Sequence, residues 1–242
     1  ESALNPLAVS KSGAVGLWQF KINTSRMFNL AVNSYVDERM DPVKSTEAAC
    51  QYLQYLYRIF NDWHLALAAY NIGSGPVRNA ILRANGETNF WKIYDYLPEA
   101  AQNYVPAFIA AAYIMNNAKD HKINKVNPII TFAKSDTVMV SKPVAFSVVS
   151  KELDIPIEII RFLNPTYRRD YIPDLGSPAT FWLPSNKVEP FVKKEQVIYN
   201  TKVDKPSYQD ILVNSGSTDG KIKVQYKVKA GDYLHKIAIA HS

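Results

Sequence analysis

A carboxyl group can give up a proton and take it back, and Glu1 places one beside a hydroxyl, Ser2. A second cluster, Gly13-Ala14-Val15-Gly16-Leu17-Trp18-Gln19-Phe20, sets two glycines around an amide side chain that both donates and accepts hydrogen bonds. A third, Ala69-Tyr70-Asn71-Ile72-Gly73-Ser74-Gly75-Pro76-Val77, and a fourth, Asn103-Tyr104-Val105-Pro106, add phenols and further amides. These types suit general acid–base chemistry on a ligand rich in hydroxyl and amide groups. Taken alone, an isolated glutamate is most often a solvated surface charge, so the weight falls on the four clusters together.

Other chemistries find little support. The four histidines, His64, His121, His235 and His241, show no HExxH or Cys/His spacing, so no metal or cofactor is expected. No phosphate-cradling glycine loop or trusted Ser-His-Asp order is present. The single cysteine, Cys50, has no internal partner and reads as a small core residue of a helix. The net charge of +6 favours an anionic polymer as partner, but no concentrated Lys/Arg block marks a nucleic-acid arm. No apolar run approaches the roughly 18 residues of a membrane span.

The 242 residues, 47% hydrophobic and 21% charged, can bury a sizeable core in one large domain or two smaller ones. The first half, to about residue 122, reads as helices. Ala49, Leu53, Leu56 and Phe60 form an amphipathic stripe. Asp62 caps a second helix with Trp63, Leu67 and Tyr70 as its inner face. Pro76 suits the first turn of a third helix through Val77, Ala80, Ile81 and Ala84, ended by Gly86. Pro98 opens a fourth, running through Tyr104, Phe108 and Met115.

The texture changes at Asn127-Pro128. Ile129 to Phe132 and Val138 to Val140 predict strands, Phe146 to Leu153 and Pro156 to Leu163 short helices, and Thr180 to Leu183 a closing strand. The expected organisation is a mainly α domain over 1–125, a small α/β module with order βααβ over 126–186, a polar linker over 187–223, and an incomplete second module over 224–242.

The four clusters, in this order and spacing, resemble the motifs of lytic transglycosylases of the lysozyme-like superfamily, in the membrane-bound D-type branch. Val36-Asp37-Glu38-Arg39, Asp41-Pro42 and Ser45-Thr46 match that branch too, and the resemblance covers residues 1 to about 118. It implies non-hydrolytic cleavage of the β-1,4 bond between N-acetylmuramic acid and N-acetylglucosamine in peptidoglycan. Where many glycosidases use two carboxylates, the family uses one glutamate, here Glu1. It protonates the leaving oxygen, then takes the proton of the sugar's own 6-hydroxyl as a 1,6-anhydro ring closes. Such an acid needs a raised pKa, which apolar burial supplies.

The substrate-binding set implied alongside Glu1 is Ser2, Gly16, Gln19, Tyr70, Asn71 and Tyr104. Gly13 and Gly16 let backbone approach the sugar or simply turn the chain. Gln19 matches sugar hydroxyls and acetamido groups, Tyr70 and Tyr104 stack on sugars or hydrogen-bond near the acid, and Asn71 orients an acetamido group or caps a turn. Trp18 and Phe20 read as core. Where the family has a Glu-Thr pair ahead of the fourth motif this sequence has Ala100 and Ala101, with Glu99 one residue away, a departure that leaves open an auxiliary subsite contact and not the main acid. The family's catalytic glutamate also lies near the end of a helix, so residues upstream of Glu1, or a separate chain supplying them, are expected.

Residues 129–184, with Leu163-Asn164-Pro165 and Trp182-Leu183-Pro184, and the stretch Tyr226 to Leu234 with Gly231 and Asp232, resemble LysM domains. Those bind N-acetylglucosamine-containing glycans; a packing spacer is the alternative for the first copy. The implied partner is the peptidoglycan glycan strand, met by a monomer in the bacterial cell envelope, in the periplasm or held at the outer membrane by a lipid anchor upstream of Glu1. A hydrolytic muramidase on the same fold and a non-catalytic glycan-binding protein are the rival readings.

Overall fold

The structure is a computed structural model that describes residues 1–124 and 131–201. The expected strand residues Ile129 and Ile130, the linker beyond residue 201 and the incomplete module with Gly231 and Asp232 lie outside the described residues.

The N-terminal part is helical. A short α1 (Ile22–Met27) precedes α2 (Pro42–Phe60), whose start is fixed by Asp41. The Asp41 carboxylate accepts from the N–H groups of Val43 and Lys44, each at 2.9 Å, and Pro42 fills the first position, where no N–H is needed. Asn61, in left-handed conformation, ends the helix. Asp62 caps α3 (Trp63–Ile72) through Leu65 N–H at 2.8 Å, as its position implied. Helix α4 (Ser74–Arg83) runs out at Gly86 (φ +86°), whose N–H returns to the Ile81 carbonyl at 2.9 Å. Pro98 opens α5 (Glu99–Asn116).

Helix α3 packs against α2, α4 and α5. Three small residues, Ala66, Ala68 and Ala69, all with no exposure, let those neighbours come close around Leu56, Val77 and Val105. The sequence assigned the inner face of α3 differently. Trp63 is in fact 54% exposed, and Leu67 and Tyr70 are half-buried at a groove. The helix is apolar nearly all round, so periodicity could not choose its core face. On α2, Ala49 points inward and Cys50, one residue and about 100° further on, is exposed rather than core. Phe108 and Met115 of α5 are exposed as well.

The C-terminal part pairs β1 (Ser135–Val140) antiparallel with β4 (Ala179–Pro184), placing Val138 opposite Phe181. Along β4, Ala179, Phe181 and Leu183 alternate inward, as a strand with one covered face requires. A smaller pair joins β2 (Val144–Ala145) to β3 (Tyr171–Ile172). Helices α6 (Phe146–Leu153) and α7 (Ile157–Leu163) lie between, so the outer pair and the helices give the expected βααβ order and the inner pair β2–β3 adds to it. Phe132 belongs to a 3₁₀ turn rather than a strand.

The linker expected from residue 187 is not one at its start: Ser185–Asn200 form α8. Pro190 and five lysine or glutamate side chains disguise it in sequence. Pro190 lacks the N–H that would bond Asn186, a cost of roughly 3 kcal/mol in a helix interior. Burial of Phe191 (1% exposed) and Ile198 (2%) against the module core offsets it.

Asn164, one of the marks of the LysM resemblance, is a clamp with 1% exposure. Its Nδ2 donates to the carbonyls of Ile160 (2.9 Å) and Trp182 (2.8 Å), and its Oδ1 accepts from Trp182 N–H at 2.8 Å. One side chain thus ties the end of α7 to β4. Asn164→Ala leaves buried backbone groups without partners and should cost about 2–3 kcal/mol. In calorimetry that corresponds to a fall in Tm of about 5–10 °C. An unchanged Tm would show the clamp to be dispensable.

Candidate active site

The chain's first residues form a turn in which Asn5 N–H bonds the Ser2 carbonyl at 3.1 Å, and the loop of residues 13–20 folds against it. Ser2 Oγ donates to the Leu17 carbonyl at 2.8 Å, which tethers the residue next to Glu1 to that loop. Tyr104, half-buried on α5, donates its hydroxyl proton to Glu1 Oε1 at 2.6 Å. Two of the predicted residues, more than a hundred positions apart, therefore meet at one carboxylate.

Tyr70, on α3, donates to the Trp18 carbonyl at 2.8 Å, and Trp18 Nε1 donates to Thr46 Oγ1 at 2.7 Å. Burial is the main reason the Tyr70 and Tyr104 hydroxyls titrate well above the usual phenol range. The nearby Glu1 charge adds to it at both, with the hydrogen bond to Glu1 a further cause at Tyr104. Both phenols stay protonated donors throughout neutral and mildly alkaline pH. The stability they contribute is complete below about pH 10, the usual phenol value, and is lost only as pH climbs through the raised values.

Two hollows meet at Glu1 and Tyr70, which line both. One, of about 600 Å³, is walled mainly by apolar groups including Leu17, Leu53, Trp63, Leu67 and Phe108. The other, of about 460 Å³, is polar, with Ser10, Ser12, Lys21 and Asn71 on its walls. Among the described residues Glu1 is the one acid lining either hollow. No group of three or more His, Cys, Asp or Glu among the described residues could hold a metal.

The remaining expected contacts divide. Asn71 is exposed on the polar wall. Gln19 also lines it, but both protons of its amide are committed to backbone, to Gly16 O at 2.8 Å and Ala8 O at 3.2 Å. It braces the loop, leaving only its oxygen for a ligand. Gly16 lines neither hollow. Its φ is +87°, and a Cβ there would lie 1.8 Å from the Arg39 carbonyl oxygen, so glycine is required by close backbone packing. Phe20, at 2% exposure, is core as expected, whereas Trp18 borders the apolar hollow.

A pair whose role the sequence did not reveal is Asp37–Arg39. Asp37 is fully buried and Arg39 is 6% exposed. Arg39 Nε and Nη2 reach the two carboxylate oxygens at 2.9 and 2.8 Å, and Nη1 donates to the carbonyls of Phe20 (3.3 Å) and Gly13 (3.4 Å). The available signal was an acid and an arginine two residues apart in a short turn-rich segment, which gives no hint of the loop they hold.

Residues 1–93 match the family described as Transglycosylase SLT domain, and residues 134–200 match the LysM-like domain of lytic transglycosylase MltD. The chain is 34% identical over 168 residues to membrane-bound lytic murein transglycosylase D of Escherichia coli (strain K12), covering 68% of this chain and 36% of that protein. It is 32% identical over 116 residues to the soluble lytic murein transglycosylase of the same strain, covering 46% of this chain and 18% of that protein. A putative tributyltin chloride resistance protein of Alteromonas sp. (strain M-1) is 37% identical over 90 residues, 37% of this chain and 44% of that protein. The chain thus spans about a third of the length of the transglycosylase D it matches. Residues 1–93 belong to the transglycosylase SLT domain family, and residues 134–200 to the family of MltD-type LysM-like domains.

Proposed function

We propose that this chain carries the catalytic centre of a peptidoglycan lytic transglycosylase, acting in the bacterial cell envelope on glycan strands. The observation that carries the proposal is the lone carboxylate: Glu1, held by Tyr104, at the meeting point of two hollows that present no second acid among the described residues. Two-carboxylate hydrolysis lacks its partner there. The matches to the SLT domain and to murein transglycosylases support the same reading. None of the helices among the described residues is long and apolar enough to cross a membrane.

In this mechanism protonated Glu1 gives its proton to the glycosidic oxygen as the bond from C1 of N-acetylmuramic acid breaks. N-acetylglucosamine leaves with a free 4-hydroxyl, and the substrate's own acetamido oxygen stabilises the positive C1. Glu1, now a carboxylate, takes the proton of the 6-hydroxyl as O6 bonds to C1. A 1,6-anhydro ring results, no water is consumed, and Glu1 ends protonated as it began. Tyr104 fixes one carboxyl oxygen, so the other can face the substrate. Gln19 and Asn71 lie on the polar wall, where sugar hydroxyls and acetamido groups find partners.

Glu1→Gln keeps size and shape but carries no transferable proton. It should abolish clearing of isolated sacculi, about 10³-fold or more, with an unchanged circular dichroism spectrum. Wild-type rates in that variant would remove Glu1 from the mechanism. Tyr104→Phe should lower kcat about 10- to 100-fold with little change in KM, because it loosens the acid and not the glycan. Mass analysis of digested sacculi should show 1,6-anhydromuramic ends; reducing ends would assign the hydrolytic rival instead.

A further inference from the structure

The seam between the two parts of the chain is built unlike a tether. Val36, in a turn of the helical part, is 5% exposed and packs within the core of the LysM-like module. Backbone bonds flank it on both sides: Asp37 N–H donates to the Thr166 carbonyl at 2.9 Å, and Arg168 N–H donates to the Tyr35 carbonyl at 2.8 Å. The Arg169 guanidinium lies 4.5 Å over the Tyr35 ring. The described residues on both sides of this seam belong to one compact unit.

The turn gripped in this way is the one that holds the active-site loop. Asp37, bonded to the module through its N–H, orients Arg39 through both carboxylate oxygens. Arg39 in turn secures Gly13 and Phe20 by their carbonyls, and its own carbonyl sets the floor under Gly16. From that loop Leu17 anchors Ser2 and Trp18 anchors Tyr70. Every step from Thr166 to the neighbour of Glu1 is a hydrogen bond or a packed backbone contact.

We infer that the LysM-like module is a positioning element of the catalytic centre, acting through Val36, Asp37 and Arg39 on the loop of residues 13–20. Its grip serves turnover, whatever affinity the module has for glycan. Asp37 and Arg39 are positioning residues, since neither lines either hollow and both act through the loop that does. A purely tethering module would change how sacculi are bound and leave the chemistry on short glycans as it was.

The inference rests on the proposed cleavage reaction, so the test has two arms in the full chain. In the first, kcat and KM are measured on short soluble peptidoglycan glycans, corrected for the folded fraction. Val36→Ala should lower kcat about 10-fold and Arg39→Lys about 10- to 100-fold, each with KM within about two-fold. The double variant should fall no further than Arg39→Lys alone, because one acts through the other. In the second arm, amide hydrogen exchange should speed up at Gly16, Gln19 and Phe20 in both single variants. Arg169→Ala, which removes only the cation over Tyr35, should give the same exchange change in milder form should Arg39→Lys fail to fold. Unchanged kcat and unchanged loop exchange in Val36→Ala would overturn the inference, as would losses that simply multiply. A wild-type chain that releases no anhydro product would count against the proposed reaction, and the exchange arm would still decide the positioning role.

Discussion

Arg39 is nearly removed from water, and a guanidinium in that position costs several kcal/mol in lost hydration unless its donors are met. The planar fork meets Asp37 side-on, and the remaining nitrogen reaches two carbonyls. A lysine has a charge but no such fork, and an apolar residue would leave the Asp37 carboxylate stranded. Much of the site depends on this one arrangement. It fixes where the loop of residues 13–20 lies, demands glycine at position 16, and through Leu17 and Trp18 sets the backdrop against which Glu1 and Tyr70 stand.

The carboxylate itself is held more lightly. One phenol grips one oxygen, and that phenol comes from a helix distant in sequence. Such a division suits the successive acid and base roles proposed for Glu1. A rigid cage of donors would favour a single protonation state, whereas one neutral donor orients the group and leaves its second oxygen for proton traffic.

Local signals in the sequence were strong where a single residue decides the geometry. Asp62 caps α3 because its carboxylate reaches an N–H three residues on, and the stretch from Phe146 to Leu153 is a helix with the expected bounds. The grouping of Glu1, Tyr70 and Tyr104 at one site was legible through motif order. Less legible were features decided by partners distant in sequence. The core face of α3 is chosen by its neighbours, since both sides are apolar. Helix α8 is hidden by Pro190 and surface charge until Phe191 finds the module core. Gln19 has the chemistry of a sugar ligand, yet the nearest acceptors are backbone carbonyls, and they take both of its protons. Asn164 is the same lesson in the module: an amide that marks the LysM resemblance is spent on closing the fold.

The ladder between β1 and β4 has a consequence in time. It joins Val138 to Phe181, so a long loop must close before its first bond forms, whereas α2, α3 and α4 meet as successive neighbours in the chain. Local helical contacts form early, and distant strand pairs late. Residues 166–168 lie inside the loop that this ladder closes, so the clamp on the active-site loop depends on a contact of the late-forming kind. During synthesis from the N-terminus, Glu1 is made long before the strand that finishes its support. On the proposed reaction, the geometry around Glu1 is thus complete at the end of folding, not at the beginning.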